Sequence, residues 1–169
     1  MVQDADLERR FGGLRRLHGA AAYERLRQAK IAVVGLGGVG SWTAEALARS
    51  GVAKLVLLDL DHIAESNINR QVHAVDTTIG QAKVLALKDR IALIHPGCEV
   101  QPVEEFVDES NVLDLLRVDD VDVVIDCCDQ VRAKAALASW CRENGKPFVS
   151  VGAAGGKSGP ESVEVADLS

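Results

Sequence analysis

The chain has 169 residues, 47% of them hydrophobic and 26% charged, which suits one soluble domain able to bury its own core. Its net charge of −6 is uneven: residues 1–30 hold seven Lys/Arg against four Asp/Glu, and the remainder twelve against twenty-one. An acidic body excludes broad, non-specific adhesion to nucleic acid. The absence of a long apolar run or a signal-like start excludes a membrane span and a secreted product, so the cytoplasm is expected.

Taken in chain order, the opening is rich in arginine, and Arg9, Arg10, Arg15 and Arg16 form either a local basic patch or a solvated surface. Ala20 to Ala29 reads as a short helix. Lys30 to Val34 is a β-branched run ending at glycine, the form of a buried parallel strand. Val39 to Ser50 is an alanine-rich helix stopped by Gly51, and Lys54 to Leu58 is a second strand closing on Asp59. About twenty polar residues follow, too many to be idle in a compact domain.

Gln81 to Ile94 is an amphipathic helix, with Val84, Leu85, Leu87, Ile91 and Ile94 near helical spacing and Pro96 as a stop. Glu99 to Val103 is a third strand and Asn111 to Arg117 a short helix. Val121 to Ile125, a helix from Val131 to Asn144, and Phe148 to Val151 complete the alternation, and Glu161 to Val165 alternates like an edge strand. Strand and helix alternate throughout. The expected fold is α/β, a Rossmann-like, doubly wound, mainly parallel sheet with helices on both faces and a C-terminal edge strand. Cys98, Cys127, Cys128 and Cys141 lack zinc spacing and read as reduced, mostly buried thiols.

Gly35, Gly37 and Gly40 occupy the three glycine positions of a phosphate-binding turn, with Gly38 between them. The first permits the tight turn, the second lets phosphate approach the backbone, and the third packs helix on strand. The helix that follows aims free N–H groups and a positive dipole end at an anion. Asp59 lies twenty-four residues past Gly35, at the end of the next strand, where a carboxylate accepts from ribose hydroxyls. This much means an adenine nucleotide and leaves NAD, FAD, S-adenosyl-methionine and ATP open.

The residues beyond Asp59 favour ATP as a reagent. Asn67, Arg70 and Gln71 lie on a segment able to fold back over the nucleotide. Arg70 offers a planar fork to a terminal phosphate, and Lys83 a second positive charge. Asp129, just past the fourth strand, would face the same crevice. A carboxylate beside phosphates calls for an intervening cation such as Mg²⁺, although capping the helix at Val131 is its plainer role. No Ser/His/Asp or Cys/His set stands out, and His62, His73 and His95 are expected not to be catalytic.

These motifs together resemble the adenylating-enzyme family of ThiF, MoeB and HesA type, which includes molybdopterin- and thiamine-pathway activators and the activating enzymes of ubiquitin. The residues that carry the resemblance are the glycine turn, Asp59-x-Asp61, Ser66-Asn67-x-x-Arg70-Gln71, Gly80-Gln81-x-Lys83 and Asp126-x-x-Asp129. The opening from Arg10 to Gly19, Gly152-Ala153-Ala154-Gly155-Gly156 and the final Val165-Ala166-Asp167-Leu168 are similar to its tRNA threonylcarbamoyladenosine dehydratase branch.

The resemblance implies an N-terminal arm and helix over residues 1–29 and an ATP-binding adenylation domain over 30–169. It implies ATP-dependent adenylation and cyclisation of a modified adenosine in tRNA. It also implies a homodimer in which Arg16 reaches the neighbouring subunit's phosphates, although activators of the molybdopterin type place that arginine where Gly13 stands. Asp59 would hold ribose, Asn67, Arg70 and Lys83 the phosphates, and Asp129 Mg²⁺. Members of this branch continue past the equivalent of Ser169, so this chain is expected to bind ATP with or without turnover. Two other readings stay open: adenylation of the C-terminal glycine of a ubiquitin-like sulfur carrier, with a cysteine-desulfurase-type partner, and a nicotinamide-dependent oxidoreductase.

Overall fold

The computed structural model describes residues 6–152 and 158–167. Five strands, β1 (Lys30–Val34), β2 (Lys54–Leu58), β3 (Glu99–Val103), β4 (Val123–Asp126) and β5 (Phe148–Ser150), form one parallel sheet in the order β3-β2-β1-β4-β5. Among the described residues, seven helices accompany these five strands: α1 (Leu7–Phe11), α2 (Gly13–His18), α3 (Ala20–Gln28), α4 (Gly40–Arg49), α5 (Lys83–Ile94), α6 (Val112–Leu115) and α7 (Val131–Glu143).

The period-2 alternation of β1 and β2 decides which helix covers which face. Ile31, Val33, Leu55 and Leu57 point to the side closed by Ala44 and Ala48 of α4 and by Val84, Leu87 and Ile91 of α5. Ala32, Val34, Val56 and Leu58 point to the other side, under Val112 of α6 and Leu137 and Trp140 of α7. Both faces of β2 are buried along its whole length, which is why Leu55 to Leu58 is an unbroken apolar run, while the buried ammonium of Lys54 pairs with Glu99 and Asp120. A buried carboxylate, Glu45 of α4, joins the first layer to Arg90 of α5 and to Arg49. Burial alone would raise its pKa, but the bonds from Arg90 and then Arg49 outweigh that and hold it below the usual carboxylate value.

Two sequence expectations are corrected, and the arginine-rich opening, whose arginines are exposed, takes a form the sequence left open. The arginine-rich opening folds as α1 and α2, with Asp6 capping α1 through the amide of Arg9 at 3.0 Å. Phe11 then packs edge-on against His95, with ring centroids 4.7 Å apart, so this unit covers the end of the sheet where strands begin. Glu161 to Val165 forms no strand: a 3₁₀ turn over Pro160–Ser162 leads into residues exposed on both sides, so the alternation reflects no sheet face. On α5, Leu85 is 41% exposed, because the apolar stripe narrows to Val84, Leu87 and Ile91. Of the four thiols, all free, only Cys141 is fully buried. Residues 153–156 and Leu168, which carry part of the family resemblance, lie outside the described residues. Among the described residues, no helix is long and apolar enough to cross a membrane.

Candidate functional site

A cavity of about 810 Å³ opens over the carboxyl ends of the strands, where an open α/β sheet binds ligands. The glycine turn forms its floor. Gly35 has φ +82°, and a Cβ there would lie 2.8 Å from the backbone of Cys128, so the turn and the β4–α7 connection are in backbone contact. Gly37 has open space where its Cβ would be and lines the cavity. The amides of Gly37, Gly38 and Val39 donate to no other described residue, which leaves an N–H cradle at the start of α4.

Asp59 is nearly buried and fastened to this turn. One carboxylate oxygen accepts the Leu36 amide at 2.6 Å, and the other accepts the Asp61 amide at 2.8 Å. Each oxygen keeps lone-pair capacity toward the cavity. The long connection after β2 is pinned by 3₁₀ turns at Glu65–Asn67 and Asp76–Thr78 and by an antiparallel bridge between His62 and Ala82. Asn67 accepts the Ala64 amide with its oxygen at 3.0 Å, which leaves its NH₂ group as the free end. Arg70 lies over Gly38, its guanidinium held by the Ser66 carbonyl at 2.8 Å and Asn69 Oδ1 at 2.9 Å through one nitrogen only. The remaining guanidinium donors are free to take an anion.

Lys83, buried at the first position of α5, places its ammonium 2.7 Å from Asp61 and 3.7 Å from Asp59. Gln71 is also buried and lines the cavity, and its Oε1 has no partner among the described residues. An orphaned buried acceptor beside free N–H and guanidinium donors fits a bound, hydrated polyphosphate better than an apolar cofactor tail. Asp129 lines the opposite wall with Cys127, Cys128 and Gly152. It does not cap α7, whose N-cap is Gln130 without a side-chain bond.

The structure therefore brings Gly35, Gly37, Gly38, Asp59, Asn67, Arg70, Gln71, Lys83 and Asp129 around one cavity. Gly40 stands behind it, where a Cβ would lie 1.7 Å from the Gly35 carbonyl oxygen, so its role is to let α4 close on the turn. Arg16 is not among the lining residues of its own chain: it is exposed on α2, in the unit at the other end of the sheet. Sequence reading missed Glu105, Phe106 and Val107, which wall the cavity beyond β3. Their position past a strand's carboxyl end was the available signal, but nothing in their residue types announces a site.

His62 is exposed and pairs with Glu104, while His95 belongs to the Phe11 contact. His73 is buried near Lys83, with neither ring nitrogen partnered among the described residues. Burial, then Lys83 and Arg90, push its pKa down to about 4. Unfolded histidine takes its proton near 6.5, so the unfolded chain binds the proton first. Stability is full above that pH and falls between about 6.5 and about 4, by roughly 3 kcal/mol at ~1.36 kcal/mol per pKa unit. Unfolding midpoints of His73→Leu should therefore change less between neutral pH and pH ~4.5 than those of the parent. His95, also depressed by burial and by Arg27 and Arg10, keeps part of this acid limb.

Residues 9–165 match the model of the ThiF family. The chain belongs to the ThiF family. It is 44% identical over 169 residues to a tRNA threonylcarbamoyladenosine dehydratase of Haemophilus influenzae, covering all of this chain and 64% of that protein. The structure of the Escherichia coli tRNA N6-threonylcarbamoyladenosine dehydratase in complex with ATP superposes with a TM-score of 0.92 at 44% identity, over 99% of this chain and 69% of that one. The Escherichia coli molybdopterin-synthase adenylyltransferase is 37% identical over 127 residues, 75% of this chain and 50% of that protein. This ThiF-family chain thus spans about 64% of the length of the Haemophilus enzyme.

Proposed function

We propose that the cavity binds Mg-ATP and adenylates the carboxylate of N6-threonylcarbamoyladenosine in tRNA, which then cyclises. The observation that carries this reading is the set of free phosphate donors, from the glycine-turn amides, Arg70 and Asn67, converging with buried Lys83 on one cavity. The likeness to a dehydratase over the whole chain supports tRNA as the acceptor over a carrier protein, because the molybdopterin-synthase adenylyltransferase matches only 75% of the chain.

A carboxylate is a poor electrophile because its leaving group would be oxide. One carboxylate oxygen bonds to the α-phosphorus as the bond to pyrophosphate breaks. The carbamoyl oxygen then closes on the activated carbon, the carbamoyl nitrogen gives up a proton, and AMP departs with the former carboxylate oxygen. The nucleophile is already in the substrate, so the chain's side chains serve to position groups and offset charge. Asp59 orients ribose, and Asn67, Arg70 and Lys83 hold phosphate oxygens.

Mg²⁺ fits the donor set. Asp129 supplies one carboxylate on the far wall, and magnesium commonly binds one or two carboxylates plus phosphates. Buried Gln71 Oε1, without a partner among the described residues, would accept a hydrogen bond from the hydrated group held there. When bound, the metal neutralises phosphate charge. Asp129→Asn is expected to reduce the Mg²⁺ dependence of ATP binding while leaving the melting temperature unchanged, which a nucleotide titration with and without Mg²⁺ measures. Arg16, exposed and without a role in its own chain's cavity, completes the partner's site in a homodimer. The reaction belongs in the cytoplasm, with ATP and tRNA.

Arg70→Ala removes charge-assisted phosphate contacts worth about 1.5–3 kcal/mol, so AMP formation on modified tRNA should fall roughly ten- to hundredfold. The test of function is AMP and pyrophosphate release from ATP with tRNA carrying the modified adenosine, measured on the full-length protein. Release stimulated only by a ubiquitin-like sulfur carrier would transfer the site to that acceptor and its cysteine-desulfurase partner. NAD(H) binding tighter than Mg-ATP would refute both.

A further inference from the structure

Beneath the wall that carries Asp129 lies a polar cluster to which the proposed chemistry assigns nothing. Asp126, the last residue of β4, is fully buried and pairs in register with Val34 of β1 and Ser150 of β5. One of its oxygens accepts the Cys128 amide at 3.1 Å and the Cys128 thiol at 2.8 Å. The other accepts Lys134 Nζ at 2.8 Å and the Ser150 hydroxyl at 2.7 Å. The Lys134 ammonium, from the first turn of α7, also donates to the Val151 carbonyl at 2.9 Å and lies 3.4 Å from Ser150 Oγ.

The Val151 amide on the Asp126 carbonyl at 2.8 Å and the Ser150 hydroxyl already join the two strand ends, and this ammonium adds a charged side-chain tie between them. Through Asp126 it fixes the Cys127-Cys128 turn that leads to Asp129 and presses on Gly35. Through Val151 it fixes the strand end that delivers Gly152 to the cavity rim. Neither Lys134 nor Ser150 lines the cavity. Three acceptors surround one three-donor ammonium, so the Val151 carbonyl has no substitute donor if the lysine is lost. The glycine turn touches the Cys127-Cys128 turn at Gly35, but it and Asp59 carry their own bonds, the Leu36 amide to Asp59 and the Gly35 amide to the Leu58 carbonyl, which Lys134 does not make.

We infer that Lys134 is a positioning residue that seats the Asp129 turn against the Gly152 rim, and so governs turnover through that wall without touching the glycine-turn amides, Arg70 and Lys83 that hold the nucleotide itself. The inference rests on the proposed adenylation for its activity readout.

Two variants of the full-length protein test it: Lys134→Met, which leaves the Asp126 carboxylate buried without its counter-charge, and the double variant Asp126→Asn/Lys134→Met, which removes that charge as well. Melting temperature, affinity for ATP without Mg²⁺ and steady-state AMP formation with modified tRNA are measured for each. Both variants are expected to bind ATP without Mg²⁺ within about threefold of the parent, while kcat/KM for the acceptor falls at least tenfold. The double variant should recover most of the lost melting temperature and none of the acceptor kinetics. Recovery of both together, or unchanged acceptor kinetics in either variant, would overturn the inference. A parent protein that forms no AMP on modified tRNA refutes the tRNA reading instead. Hydrogen exchange at the Cys128, Val151 and Gly152 amides then decides the role of Lys134. Faster exchange there in the double variant, with α4 unchanged, supports it, and unchanged exchange overturns it.

Discussion

Replacing Lys83 by methionine should reduce AMP formation by roughly 10²–10³-fold, the scale seen when one preorganised electrostatic donor is removed from a reacting centre. The ammonium is buried between Asp59 and Asp61, so it is fixed before substrate arrives and needs little reorganisation. Its removal also leaves Asp59 without a counter-charge, in the place where a polyanion must bind. ATP affinity should weaken at least about tenfold, since a lost charge-assisted bond is worth about 1.5–3 kcal/mol. The stability loss should stay well below the activity loss. Asp61 is more than half exposed and remains solvated, while Asp59 keeps the Leu36 and Asp61 amides. Single-turnover AMP formation, nucleotide titration and thermal unfolding separate the three effects. Unchanged ATP affinity in this variant would place the phosphates elsewhere.

Gly40→Ala is expected to abolish nucleotide binding by a different route. The backbone there is helical, so an added methyl meets no conformational objection. What it meets is the Gly35 carbonyl oxygen at 1.7 Å and Cys127 Cβ at 3.1 Å. A backbone atom cannot rotate away, so α4 must withdraw from β1, and the amides of Gly37, Gly38 and Val39 move with it. Overpacking of this kind costs about 1–3 kcal/mol of stability. Gly37→Ala is the informative contrast: its methyl would project into open cavity, so the fold should keep its melting temperature while phosphate approach is blocked. Calorimetry with ATP and thermal unfolding of both variants check the distinction.

The centre of the sheet was legible because β1, β2 and β4 are nearly continuous apolar runs. Lys54 to Leu58 was read to the residue, and the glycine turn located the crossover to α4. The elements that escaped reading are those whose stability comes from tertiary contact. Helices α1 and α2 are five and six residues long, too short to show a periodic stripe, and they hold through Phe11 on His95. The false strand at Glu161–Val165 shows the converse: alternation in a segment with no sheet beside it carries no information.

At the site, residue types with chemistry in them were legible, and those that act by shape or by holding others were not. Asp59, Arg70 and Lys83 announce their charge. Phe106 and Val107 form a wall only because β3 ends beneath them. Lys134 sits in an ordinary amphipathic helix, and its significance depends on the Asp126 and Val151 oxygens that the fold brings to it from two other strands.

The most direct measurement follows an oxygen atom. If the full-length protein is given ATP and tRNA whose threonylcarbamoyl carboxylate carries ¹⁸O, mass spectrometry should find one heavy oxygen in the released AMP and none in pyrophosphate. AMP without the label, label in pyrophosphate, or release of ADP would contradict the claim that this cavity joins an acid group to the α-phosphate.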